Sequence, residues 1–141
     1  MADTWGRRFY TAGAILLLLC GCVHSISLFE KPVPRNATEA QLQDLMTNYK
    51  FDVMGSVRSM DNFLRGFSIS FMLAALAIGA LALVVRRERA GLLKRIALVI
   101  SMWLALMTAV SLTYFFAAPT SFLAATLILF ALAWMKLPAQ G

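Results

Sequence analysis

From Ile96 to Met135 the chain runs for 40 residues without one charged side chain. A helix of that length would rise about 60 Å, twice the ~30 Å hydrocarbon thickness of a bilayer. A water-soluble core interrupts its apolar runs with polar positions, so the solvent of this stretch is lipid. The break comes at Ala117-Ala118-Pro119-Thr120-Ser121. Proline cannot continue a helical hydrogen-bond ladder and restricts the residue before it. Spans are therefore expected over 96–116 and 120–136, joined as a tight hairpin. Two more uncharged stretches, Phe9–Phe29 and Gly66–Val85, predict spans over 9–29 and 66–85.

The charges fall between these stretches. Arg7 and Arg8 precede the first; Arg86, Arg87, Arg89, Lys94 and Arg95 crowd the turn between the second and third against the single acid Glu88; Lys136 follows the fourth. The positive-inside bias assigns those segments, and hence both termini, to the cytoplasm. Residues 30–65 balance Lys31, Arg35, Lys50, Arg58 and Arg65 against Glu30, Glu39, Asp44, Asp52 and Asp61, which suits the periplasmic side of a bacterial inner membrane. The net charge of +6 reads as topology, and nucleic acid is not expected as a partner.

The long loop is patterned. Pro32 and Pro34 end the first span, Asn36 or Thr38 caps a helix with Glu39 or Gln41 three residues on, and Leu42, Leu45, Met46, Tyr49 and Val53 follow at helical spacing. The expectation is a helical segment over 36–65, amphipathic and lying on the membrane surface or across the bundle mouth. Gly55 and Ser56 interrupt it, and Val57, Met60, Leu64, Phe67 and Phe71 carry its apolar stripe into the second span. The fold class is thus all-α: one domain, a four-helix transmembrane bundle with an extra amphipathic helix in its first, periplasmic loop. Arg7-Arg8 and Leu19-Cys20-Gly21-Cys22 permit a competing reading as an export signal with a lipid-anchored cysteine, which would remove the first span.

A lone histidine inside a span is costly and marks a candidate site. Counting ~1.5 Å per residue from the charged inner boundaries places His24 at the same depth as Ser70, Ser111 and Thr120. Above them Arg58, Asp61, Arg65 and Ser68 recur at helical spacing, with Asp61 able to pair with either arginine. Small residues on the first two spans, Ala12, Gly13 and Ala14 against Ala74, Ala75, Gly79 and Ala80, favour close helix approach in the inner half. The expected result is a cup open to the periplasm, lined by His24, Ser68, Ser70, Ser111 and Thr120, with Arg58, Asp61 and Arg65 at its rim.

The alternative for the same residues is packing alone: serine, threonine and histidine hydrogen-bonded to neighbouring backbone, with the arginines reaching lipid phosphates. With one histidine and two cysteines, and no CxxC pair, phosphate loop or hydrolase elbow, no metal or cofactor is expected. Cys20 and Cys22, two apart on a helix, point to different faces and are not expected to pair.

Gly21-Cys22-Val23-His24, Asp52-Val53-Met54-Gly55-Ser56-Val57-Arg58-Ser59 and Phe63-Leu64-Arg65-Gly66-Phe67 together resemble an uncharacterised family of small four-helix bacterial inner-membrane proteins with a Gly-x-x-His motif in the first span. The chain departs from the commonest form in carrying Ser27 and Leu28 where a second glycine follows the histidine. The resemblance implies a four-span bundle in which the histidine and the Arg-Ser segment matter, and it implies no reaction.

Two functions of different class follow. The favoured one is an accessory or interaction subunit that associates in the membrane with a larger complex or with itself. The other is an outward-facing protein or small enzyme holding a lipid, quinone or sterol-like ligand, with His24 exchanging a proton and Asp61 or Arg65 fixing a polar head. A non-enzymatic role is preferred because the site lacks a second buried acid or base.

Overall fold

The computed structural model describes residues 2–30 and 33–139; Lys31 and Pro32, assigned above to the loop charge balance and the end of the first span, lie outside the described residues. In chain order the elements are α1 (Ala2–Ser27), α2 (Ala37–Asn48), β1 (Lys50–Val53), β2 (Ser56–Ser59), α3 (Met60–Val84), a 3-10 turn (Val85–Arg87), α4 (Ala90–Tyr114) and α5 (Ala117–Lys136). Four of the helices, α1, α3, α4 and α5, are long and apolar enough to cross a membrane, which makes this a multi-pass membrane protein.

The segment expected to be helical over 36–65 is instead three pieces. The Asn36 side chain accepts from the Glu39 N–H at 2.8 Å and starts α2 as the spacing indicated, but the helix stops at Asn48. Residues 50–59 then pair as an antiparallel hairpin, with Lys50 opposite Ser59 and Val53 opposite Ser56. Met54 and Gly55 form its two-residue loop with φ of +52° and +84°, the left-handed pair that matches strand twist. The Asp52 carboxylate accepts from the Gly55 N–H at 2.8 Å and closes the turn. Phe51, stacked between Tyr49 and Phe63 at centroid distances of 6.5 and 5.8 Å, fastens the hairpin to α3. Val53 and Val57, read above as helical, thus belong to strands.

Ser59 ends β2 and begins α3. Its hydroxyl accepts from the Asn62 N–H at 3.3 Å while the Asn62 side chain accepts from the Ser59 N–H at 3.2 Å, a reciprocal cap. The helix therefore starts six residues before the uncharged stretch.

Close packing centres on α1, which runs along α3 on one flank and α5 on the other, while α4 packs along α5; α3 and α4, though consecutive, do not pack along their lengths. The spatial order is α3, α1, α5, α4, an array left open between its outer members. Glycines set the approach. A Cβ on Gly79 would lie 2.8 Å from Leu18, one on Gly21 2.9 Å from Leu76, one on Gly13 3.0 Å from Phe130 and one on Gly6 2.8 Å from Leu137. Tyr10, Ala14, Leu17, Leu93, Leu104, Phe130 and Ala133 fill the core between these contacts.

At the end carrying both termini, the Arg7 guanidinium donates to the backbone carbonyls of Arg86 and Glu88 at 3.3 and 3.0 Å, in the turn that follows α3. Lys94 donates to the Leu137 carbonyl at 2.8 Å and lies 6.0 Å from the Trp134 ring; Arg8 lies 5.2 Å over Trp5. All the basic segments outside the long loop thus gather at one end.

The contacts fix the levels at the other end. Pairing Gly6 with Leu137, Gly13 with Phe130 and Ser111 with Thr120 brings Ser27, Tyr114 and Ala117 to one height. Pairing Gly21 with Leu76 and Leu18 with Gly79 sets the end of α1 beside the turn of α3 that holds Ile69 and Ser70. Met60–Ile69 therefore stands beyond α1 by about 15 Å. Exposed Phe29, Phe67, Tyr114, Phe115 and Phe116 mark this level, the place where aromatic side chains favour a membrane interface.

The packing yields a direct test. In Gly79→Val the added carbons meet both the Leu18 side chain and its backbone nitrogen, 3.1 Å from the Cβ position. A loss of about 1–3 kcal/mol is expected in detergent unfolding, and unchanged stability would mean that α1 and α3 do not approach as described.

Candidate functional site

The eight candidate residues fall into separate groups. Ser111 and Thr120 meet across the α4–α5 hairpin, their hydroxyls 2.7 Å apart, with Thr120 also bonded to the Phe116 carbonyl at 3.0 Å. Asp61 and Arg65 form an i, i+4 ion pair at 3.3 Å on the part of α3 that stands beyond the other spans, both sides solvent-accessible. His24 joins neither. Its ring meets the edge of Phe71 at a centroid distance of 5.1 Å, and its Nε2 is one of two buried side-chain polar atoms without a hydrogen-bond partner among the described residues; the Tyr10 hydroxyl is the other.

The helix registers agree that His24, Ser111 and Thr120 share a level, with Ser70 about a turn of helix away from it. They do not converge, because α3 and α4 stay apart and each polar group is turned toward its own neighbour. Asp61 is ten residues along α3 from the Phe71 that His24 touches, about 15 Å in rise. His24 and Asp61 therefore do not meet one polar group of a ligand.

Arg58 is also displaced from its expected place. It lies in β2, opposite Phe51, so it does not continue the Asp61, Arg65, Ser68 face of α3; its guanidinium donates to the adjacent Val57 carbonyl at 2.8 Å. Ser70 is exposed and lies with Arg58 in a groove of about 630 Å³ whose other walls are Asn62, Phe63, Gly66 and Phe67. The sequence reading missed Asn62 and Gly66. The Ser59-x-x-Asn62 spacing signals a cap, but nothing in a sequence separates a glycine that packs from one that borders open space.

A second groove of about 650 Å³ lies between α2, the hairpin and the start of α3, walled by Leu42, Leu45, Met46, Tyr49, Phe51 and Met60. No residue of α2 is buried, and its apolar side chains Leu42, Leu45 and Met46 face this groove. Cys20 is buried and Cys22 exposed, both as free thiols, in agreement with their placement on different faces of α1.

The Ser111–Thr120 contact is the one direct link between candidate residues inside the spans. A double-mutant cycle with Ser111→Ala and Thr120→Val should give a coupling of about 0.6 kcal/mol, typical of a hydrogen bond between membrane helices. Strict additivity would show that the two hydroxyls are not bonded to each other. Comparison of the chain with protein families, with curated proteins and with solved structures finds no match in any of the three.

Proposed function

We propose that the protein is an accessory or interaction subunit of the bacterial inner membrane, associating with a larger membrane complex or with a second copy of itself through α3 and α4. The observation that carries this reading is the open side of the helix array. Helices α3 and α4 are joined by residues 85–89 alone, yet they do not pack along their lengths. Each therefore keeps an unpartnered apolar face, with Leu73, Leu81 and Val84 exposed on α3 and Val99, Met102 and Leu106 on α4. A partner helix would pack on either of these outward faces.

Both termini are cytoplasmic in this proposal, and α2 and the hairpin are periplasmic. The support is the gathering of Arg7, Arg8, Arg86, Arg87, Arg89, Lys94, Arg95 and Lys136 at one end of the spans. Membership in the four-helix inner-membrane family that the Gly21–His24 and Asp52–Ser59 segments resemble is part of the same proposal. An enzyme using His24 with Asp61 and Arg65 has less support, since the ion pair satisfies Asp61 at a different height from the histidine.

Extraction in a mild detergent, followed by mass measurement of the intact particle, tests the reading. A stoichiometric partner or a defined homo-oligomer is expected, and Leu81→Arg or Met102→Arg should release it while the protein remains folded. A monodisperse monomer in lipid nanodiscs, with nothing copurifying from the native membrane, would contradict it.

A further inference from the structure

Glycines inside the spans of this protein share one explanation, with an exception. Gly6, Gly13, Gly21 and Gly79 each sit where a Cβ would come within about 3 Å of a facing side chain, and Gly91 where it would meet a backbone oxygen. Gly66, in the second turn of α3, borders open space, with no atom of the described residues within 4 Å of where its Cβ would be. Glycine in a helix interior is less stable than alanine because it gives up more backbone freedom, so intrachain packing does not account for it.

Gly66 lies on the floor of the 630 Å³ groove, between Asn62 and Ser70 one turn to either side. The groove runs outward along α3 from the level of Ser70, where α1 ends, to Asn62. Its upper part holds Arg58, which forms no ion pair among the described residues, and Asn62, whose oxygen is engaged in the Ser59 cap while its amide N–H groups donate to no described residue. Its lower part, flanked by Phe63 and Phe67, runs to Ser70, about 12 Å in rise from Asn62. The neighbouring carboxylate, Asp61, is paired with Arg65 and leaves the Arg58 charge uncompensated. A cleft opening sideways from the outward end of a membrane helix, with a cation that no described acid neutralises above and aromatic and glycine surface below, has the polarity profile of a phospholipid.

We propose that this groove binds one anionic phospholipid, its phosphate held by the Arg58 guanidinium and the Asn62 amide and its acyl chain laid across Gly66 between Phe63 and Phe67. Charge complementarity selects the headgroup, and the missing side chain at position 66 makes room for the chain. The lipid would occupy the leaflet at the hairpin end whichever way the protein is oriented. The inference is independent of the accessory-subunit reading, which concerns the open faces of α3 and α4 deeper in the spans.

The test is native mass spectrometry of the intact protein in mild detergent, titrated with phosphatidylglycerol or with phosphatidylcholine of the same acyl chains. One phosphatidylglycerol should be retained with about tenfold preference: both lipids offer the phosphate, but phosphatidylcholine also brings a second cation against the Arg58 charge. Arg58→Gln should abolish the preference and Arg58→Lys preserve much of it. Gly66→Leu, which enters open space and should leave thermal stability intact, should eliminate the retained lipid. Equal retention of the two lipids by the natural protein would overturn the proposal, as would undiminished phosphatidylglycerol binding in Arg58→Gln or in a folded Gly66→Leu. Loss of self-association without loss of lipid in Gly66→Leu would assign the groove to a helix and overturn it equally.

Discussion

The fold depends on α1 being approached closely from two sides at once. Within lipid there is no hydrophobic drive to bring apolar helices together, so association rests on how near the backbones come and how well side chains interlock. Leu18 settles over Gly79 and Leu76 over Gly21 on one flank; Phe130 covers Gly13 and Leu137 covers Gly6 on the other. Those contacts fix the registers of three helices. Every level inferred for the fourth follows through the Lys94–Leu137 and Ser111–Thr120 links to α5.

The two ends of the array are built differently because their surroundings differ. At the basic end, arginine and lysine side chains donate to backbone carbonyls: Arg7 serves the turn that follows α3 and Lys94 the end of α5, binding sequence-distant segments with charge-assisted hydrogen bonds. At the opposite end three helices stop together and α3 alone continues, carrying the hairpin and α2. Polar and charged chemistry concentrates on that extension, where water and headgroups can solvate it. The groove containing Arg58, Asn62 and Gly66 exists because, among the described residues, none covers Gly66 above the end of α1.

Much of this was legible in the residues. Three uncharged stretches, the longest divided at Pro119, announced four spans, although the helices begin up to seven residues earlier, since Asp3, Arg7, Asp61, Lys94 and Arg95 are tolerated in terminal turns. Asn36 was legible as a cap, and the shared depth of His24, Ser111 and Thr120 came from counting rise alone. The hairpin was not. Leu42, Leu45, Met46, Tyr49 and Val53 keep helical spacing across its start, and its loop is Met54-Gly55, lacking the asparagine or aspartate that usually signals such a turn. The height of Asp61 above His24 was legible from the same count; that α3 and α4 stay apart, so that the polar groups do not converge, was not, being a fact of helix packing. The idle space beside Gly66 likewise belongs to tertiary structure alone.

The central claim is that four helices carry the hairpin and the C-terminal segment to opposite faces of one membrane. With Cys20 and Cys22 replaced by alanine and serine, single thiols introduced as Met54→Cys at the exposed hairpin tip and Ala139→Cys beyond α5 can be probed by a membrane-impermeant maleimide on spheroplasts. The account predicts that Met54→Cys reacts with membranes intact and that Ala139→Cys reacts only after permeabilisation. Labelling of both positions from the same side would contradict it.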